Sequence, residues 1–233
     1  MREVIIACDF ANAEKLWSFL QDLAVKEAYL KIGMELFYAG GLHLLTRLKK
    51  EGYRIFLDLK LHDIPNTVYQ TMKVLADYKV DMVDVHAAGG QEMMKAAKRA
   101  LHEKGSQALL LAVTQLTSTD QTMLEKELWI PHAMDETVLH YALNAQKAGC
   151  DGVICSPLEA RKISEYCGKD FISVTPGIRF QSDQKADQKR VTTPAEAAKL
   201  GSHYIVIGRS ITQAENPRAA YDRARKMFQG EQA

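Results

Sequence analysis

The sequence predicts a single-domain α/β protein, a (β/α)8 or TIM barrel spanning residues 1–233. Two observations lead there. Short β-branched and apolar runs alternate with longer stretches of helical periodicity, the order expected of parallel strands joined by crossover helices. Eight such runs occur, and eight β/α units suit 233 residues, since barrels of this kind take about 250. An open doubly wound sheet is the rival architecture.

The strands are expected at Val4–Asp9, Tyr29–Gly33, Arg54–Lys60, Met82–His86, Ala108–Thr114, Gly152–Ser156, Phe171–Thr175 and Tyr204–Gly208. Between them, segments such as AEKLWSFLQDLA, ELFYAGGLHLLTRLKKEG, TVYQTMKVLADY and QEMMKAAKRALHEKG carry apolar residues at helical spacing with charged opposite faces. A closing helix is expected at Pro217–Phe228, with Asn216 as cap and Pro217 in the first turn. No linker, repeat or low-complexity segment divides the chain. The stretch RFQSDQKADQKRVTT, residues 179 to 193, has almost no apolar anchor and reads as a mobile loop after strand seven.

Composition narrows the function. The formal net charge is +1 and no long basic tract occurs, which argues against a nucleic-acid or acidic-membrane surface. A basic pocket for one small anion is compatible with that balance. The opening MREVIIACDF is too short in its apolar run for a signal peptide, and no stretch approaches the length of a membrane span. Cys8, Cys150, Cys155 and Cys167 have no CxxC spacing and read as packed, reduced thiols, so a cytoplasmic location is expected. No HxxxH pair, P-loop or GxGxxG fingerprint appears, and no metal site is expected.

Charges fall at the C-terminal ends of the early strands, where barrels place their functional residues. Strand one ends in Asp9, strand two carries Lys31, strand three Asp58 and Lys60, and strand four Asp84 and His86. Residues two apart on a strand share a face, so Asp58 and Lys60 point one way while Leu57, Leu59 and Leu61 point the other. If the leucines meet the outer helices, the charged pair enters the barrel. Buried charges must neutralise one another or a ligand. Asp9, Lys31, Asp58 and Lys60 can form one alternating array, read either as a structural network or as a site. Four charges on three consecutive strand ends favour a site. Asp63 has two readings, as a site carboxylate or as the cap of a helix starting near Ile64–Pro65. His86 has two readings, at the barrel mouth or as a hydrogen-bonded core histidine, and the second is favoured.

The late strands run into TPGIR and HYIVIGRS. Loops after strands seven and eight often bind phosphate in this fold. Gly177 and Gly208 permit close backbone approach, a helix beginning after Arg209 would offer N–H groups, and Arg179 and Arg209 supply charged donors. Taken separately, the same features are ordinary turn glycines and surface arginines.

These motifs resemble the orotidine 5′-phosphate decarboxylase family. The resemblance runs through ACDF, LKIGMELF, FLDLKLHDIPNTV, DVHAAGG, AVTQLTS, TPGIR and VIGRS in order, with no departure at a motif position. DxKxxDIPNT separates this branch from metal-dependent sugar-phosphate decarboxylases and aldolases, which share only DxKxxD and form the alternative reading. A non-catalytic phosphate-ligand sensor is a second.

The resemblance implies a homodimer of barrels that decarboxylates orotidine 5′-phosphate to UMP in pyrimidine biosynthesis, without cofactor. It implies Lys60 as proton donor, paired with Asp58 and networked with Lys31. Asp63, Ile64 and Thr67 would reach the partner's site, Asp63 completing the charged array. Leu59, Leu61, His62, Pro65 and Asn66 would join the substrate-binding segment. Asp9 would contact the ribose region and Thr117 the pyrimidine. Arg179, Gln188, Gly208 and Arg209 would bind the phosphate, with the polar loop closing as a lid.

Overall fold

A computed structural model describes residues 2–181 and 192–231. Its eight parallel strands follow one another around a closed barrel, and the last pairs with the first. The first half runs β1 (Glu3–Ala7), α1 (Ala13–Leu23), β2 (Tyr29–Gly33), α2 (Met34–Lys50), β3 (Arg54–Leu61), α3 (Pro65–Ala76), β4 (Met82–His86) and α4 (Gly90–Glu103). The second half runs β5 (Leu109–Val113), α5 (Gln121–Lys126), α6 (Met134–Lys147), β6 (Gly152–Ile154), α7 (Pro157–Cys167), β7 (Ile172–Thr175), α8 (Pro194–Leu200), β8 (Tyr204–Ile207), α9 (Arg209–Thr212) and α10 (Pro217–Gln229). All eight expected strands form, so the barrel and not the open sheet is the architecture.

Strand alternation builds two cores. Outward residues such as Ile6, Leu30, Leu57, Val83, Leu110 and Ile205 pack against the helices. Inward residues, among them Ile5, Tyr29, Phe56, Met82, Leu111 and Val174, fill the barrel. Each large apolar side chain so buried contributes about 1.5–3 kcal/mol. The methionines of α4 behave as expected of core: Met93 and Met94 are fully buried.

Local chemistry sets the helix ends. Asn216 caps α10 by accepting from the Ala219 amide at 2.9 Å, and Pro217 opens the helix. Ser156 and Thr193 form capping boxes on α7 and α8, with Glu159 and Glu196 reaching back. The predicted second helix is interrupted. Gly41 takes φ 62° and ψ −166°, which breaks α2 into two pieces.

The N-terminal mouth of the barrel is closed by structural charges. Arg54 donates to Glu3 at 2.7 Å and lies over the Tyr29 ring, 4.6 Å from its centroid. Asp81, just before β4, accepts from the Ile55 amide and from Lys49, both at 2.7 Å. Asp151, just before β6, does the same for the Leu110 amide at 2.8 Å and Lys98 at 2.7 Å. These pairs stitch neighbouring strand starts together and leave the opposite mouth for chemistry.

Candidate active site

A cavity of about 600 Å³ opens at the C-terminal mouth. This is a usual size for a small-molecule site. Asp9, Lys31, Asp58 and Lys60 line one part of it; Thr117, Arg179, Gly208 and Arg209 line others.

The charged residues form a continuous chain. Lys31 Nζ lies 3.3 Å from Asp9 Oδ1 and 3.1 Å from Asp58 Oδ2. The other oxygen of Asp58 accepts from Lys60 Nζ. Exposure falls from 63% for the Asp9 side chain to 9% for Asp58, so the array runs from the rim inward. Gly33 makes room for it: a Cβ there would sit 3.3 Å from Lys31 Nζ and 3.4 Å from Asp9 Oδ1.

Burial alone would raise the Asp58 pKa. The ammonium of Lys31, a hydrogen bond with Asp84 and the ammonium of Lys60 outweigh it and bring the group down to about 2. Burial likewise opposes the charge on Lys31, but Asp58 and Asp9 reverse the effect and raise its pKa. The floor of the cavity therefore holds fixed charges of alternating sign.

The local shape of β3 is not a plain strand. Leu57 pairs with Val83, and the next pairing is Leu61 with Val85. Four residue steps on β3 thus face two on β4. In this bulge Lys60 takes φ 51°, a left-handed conformation that is uncommon for a lysine. Asp84 fills the gap in the ladder: its Oδ1 accepts from the amides of Leu59 at 3.0 Å and Lys60 at 2.8 Å. Asp84 is 1% exposed and does not line the cavity. It was visible in the sequence as a charge between Val83 and Val85, yet its hydrogen bonds reach across to another strand.

The DIPNT segment lies elsewhere. Leu59 and Leu61 pack against the outer core. His62, Asp63, Ile64, Pro65, Asn66 and Thr67 are exposed and do not line the cavity. The capping reading of Asp63 is not met. Ile64 holds the cap position of α3 without a side-chain bond, and Asp63 instead accepts from the Ile64 amide at 2.7 Å. His86 also differs from expectation. It is half-buried, stacks on His62 at 5.5 Å between ring centroids, and its buried Nδ1 has no hydrogen-bond partner. Burial, then His62 and Lys60, lower its pKa, which favours the neutral ring.

At the end of β8, α9 starts at Arg209 itself, with Gly208 as its cap residue. Ile178 bridges to Thr192, with the Arg179 amide donating to Thr192 O at 3.1 Å. The two ends of the polar stretch are therefore joined beside the cavity, which Ile178 and Arg179 line. Gln188, and with it the expected lid, lies outside the described residues.

Comparison with known proteins decides the family. The Orotidine 5'-phosphate decarboxylase / HUMPS family matches residues 2–224. The chain belongs to that family. Its members include a Geobacillus sp. (strain WCH70) protein named orotidine 5'-phosphate decarboxylase, 53% identical over 98% of this chain and 97% of that protein. A Bacillus cytotoxicus decarboxylase of the same name is 50% identical over 98% of both chains. Among solved structures, orotidine 5'-phosphate decarboxylase from Lactobacillus acidophilus superposes with a TM-score of 0.88, at 44% identity, over 98% of this chain and 99% of that one. The family match thus spans nearly the whole barrel.

Proposed function

We propose that this chain converts orotidine 5′-phosphate to UMP and CO2 in pyrimidine biosynthesis, with the Lys60 ammonium stabilising and then protonating C6 of the pyrimidine. The observation that carries the reading is the joining, in one cavity, of the Lys31–Asp58–Lys60 chain with Arg179 and Arg209. The substrate has an anionic phosphate at one end and a carboxylate on the pyrimidine at the other. Arg179, Arg209 and the Gly208 backbone suit the first, and the ammonium groups suit the second.

Loss of CO2 leaves an electron pair at C6. A unit charge at ~4 Å is worth about 4 kcal/mol at an effective dielectric near 20. Enzymes typically lower barriers by about 8–23 kcal/mol, so one ammonium is insufficient. The phosphate grip supplies binding energy far from the reacting carbon, and a site organised before substrate arrives converts it into rate. Lys60 then donates the proton that completes UMP. Asp58 fixes Lys60 and, being ionised, repels the substrate carboxylate until it departs as CO2.

The reading extends to a second copy of the chain. Asp63, Ile64 and Thr67 are exposed outside their own cavity, and the Ile64 side chain, at 67% exposure, is an apolar group awaiting a partner. We place them in the partner's site of a homodimer, where Asp63 extends the charged array. A cytoplasmic location belongs to the same reading and is supported by four buried thiols. Among the described residues no helix is long and apolar enough to cross a membrane.

The metal-dependent sugar-phosphate alternative is less well supported, since the relatives at 53% and 50% identity are named orotidine 5'-phosphate decarboxylase. A spectrophotometric assay of orotidine 5′-phosphate loss, with and without chelator, separates the readings. Chelator-resistant turnover is expected. Turnover abolished by chelator and restored by magnesium would contradict it, and binding without turnover would favour a sensor.

A further inference from the structure

Asp84 raises a bonding problem that the reaction alone does not explain. Its Oδ1 is satisfied by two amides from β3. Its Oδ2 is buried and no donor reaches it. The carboxyl that interacts with it is that of Asp58, which already accepts from Lys31 and Lys60. Two buried carboxylates cannot satisfy one another, because both only accept. One proton between them removes the conflict, turning a repulsion into a hydrogen bond.

The electrostatics say which oxygen keeps that proton. Asp58 touches two ammonium groups. Asp84 touches none, is fully buried, and faces the Asp58 charge. Burial first, then that charge and the hydrogen bond to Asp58, push its pKa well above the ordinary range.

We propose that Asp84 is a positioning residue: it stays protonated, donates through Oδ2 to Asp58, and through Oδ1 holds the Leu59 and Lys60 amides in the bulge that aims Lys60 at Asp58. It never meets substrate. One side chain sets both members of the central pair, the carboxylate through its proton and the lysine through its backbone. Without it, Leu59 and Lys60 lose their acceptor, and the left-handed turn at Lys60 loses the bonds that select it. The role in turnover rests on the Lys60 reading above, whereas the bound proton does not.

Two measurements test this. The first is the infrared difference spectrum of the ligand-free protein at pH 7, wild type against Asp84→Asn. A protonated-carboxyl C=O band that shifts in D2O should be present only in the wild type. Its absence would overturn the assignment whatever the activity. The second is steady-state kinetics on Asp84→Asn and Asp84→Ala. Asparagine keeps an acceptor for the amides and offers N–H to Asp58, so kcat should stay within about threefold. Alanine offers neither, and kcat should fall by about 30-fold or more with KM changed far less. Equal damage in both variants, or an alanine variant of near-normal kcat, would overturn the role. If the alanine variant does not fold, Asp84→Val, which fills the space but offers neither acceptor nor donor, takes its place, and loss of kcat in the asparagine variant still decides against the proposal.

Discussion

Asp58 has neighbours that keep it ionised where a lone buried carboxyl would take up a proton. Its pKa is lowered from 3.8 to about 2. A carboxylate lowered in the folded state contributes stability above its unfolded pKa and loses it as the pH falls through the folded one. The shift corresponds to about 2 kcal/mol. The stability of wild type relative to Asp58→Asn should therefore decline between about pH 4 and pH 2. Denaturant melts across that range read it, and a difference independent of pH would contradict the pairing. At the other end of the cavity, Arg209→Ala should raise KM for orotidine 5′-phosphate by about tenfold or more, given a charge-assisted bond of about 1.5–3 kcal/mol. Turnover of orotidine, which lacks the phosphate, should barely change. Equal effects on both substrates would remove Arg209 from phosphate binding.

At the scale of the elements, period-two alternation on β3 was legible because it is local. Phe56, Asp58 and Lys60 alternate with Leu57, Leu59 and Leu61, and the leucines do pack outward. The bulge was not legible. It depends on Asp84 from another strand, and nothing within FLDLKLHD announces that Lys60 departs from extended geometry. Asp63 was ambiguous for a related reason: Asp before Ile-Pro suits a cap, but the cap position falls one residue later. The opposite mouth gives a test of pure scaffolding. Asp151→Ala removes the acceptor for the buried Leu110 amide and for Lys98, and should cost about 1–3 kcal/mol in urea denaturation. Its kcat should be unchanged, since Asp151 lies at the N-terminal ends of the strands. A large loss of kcat without loss of stability would refute this division between the two mouths.

For the whole molecule, eight apolar strand runs alternating with helical stretches pointed to a barrel with an open sheet as its rival, and the closed barrel is what forms. Surface function was less legible, because the exposed DIPNT segment lies outside the cavity of its own chain. If that segment completes a second copy's site, mixing Lys60→Ala and Asp63→Ala subunits should restore part of the activity missing from either variant alone. One site of each hybrid dimer then has both native residues. No recovery despite verified subunit exchange would count against the shared site. The central claim is that the Lys60 ammonium performs the chemistry, and the most direct measurement is single-turnover conversion of orotidine 5′-phosphate by Lys60→Ala, alongside UMP binding and circular dichroism. The prediction is a folded variant that still binds UMP and forms none from substrate; near-normal conversion would contradict the account.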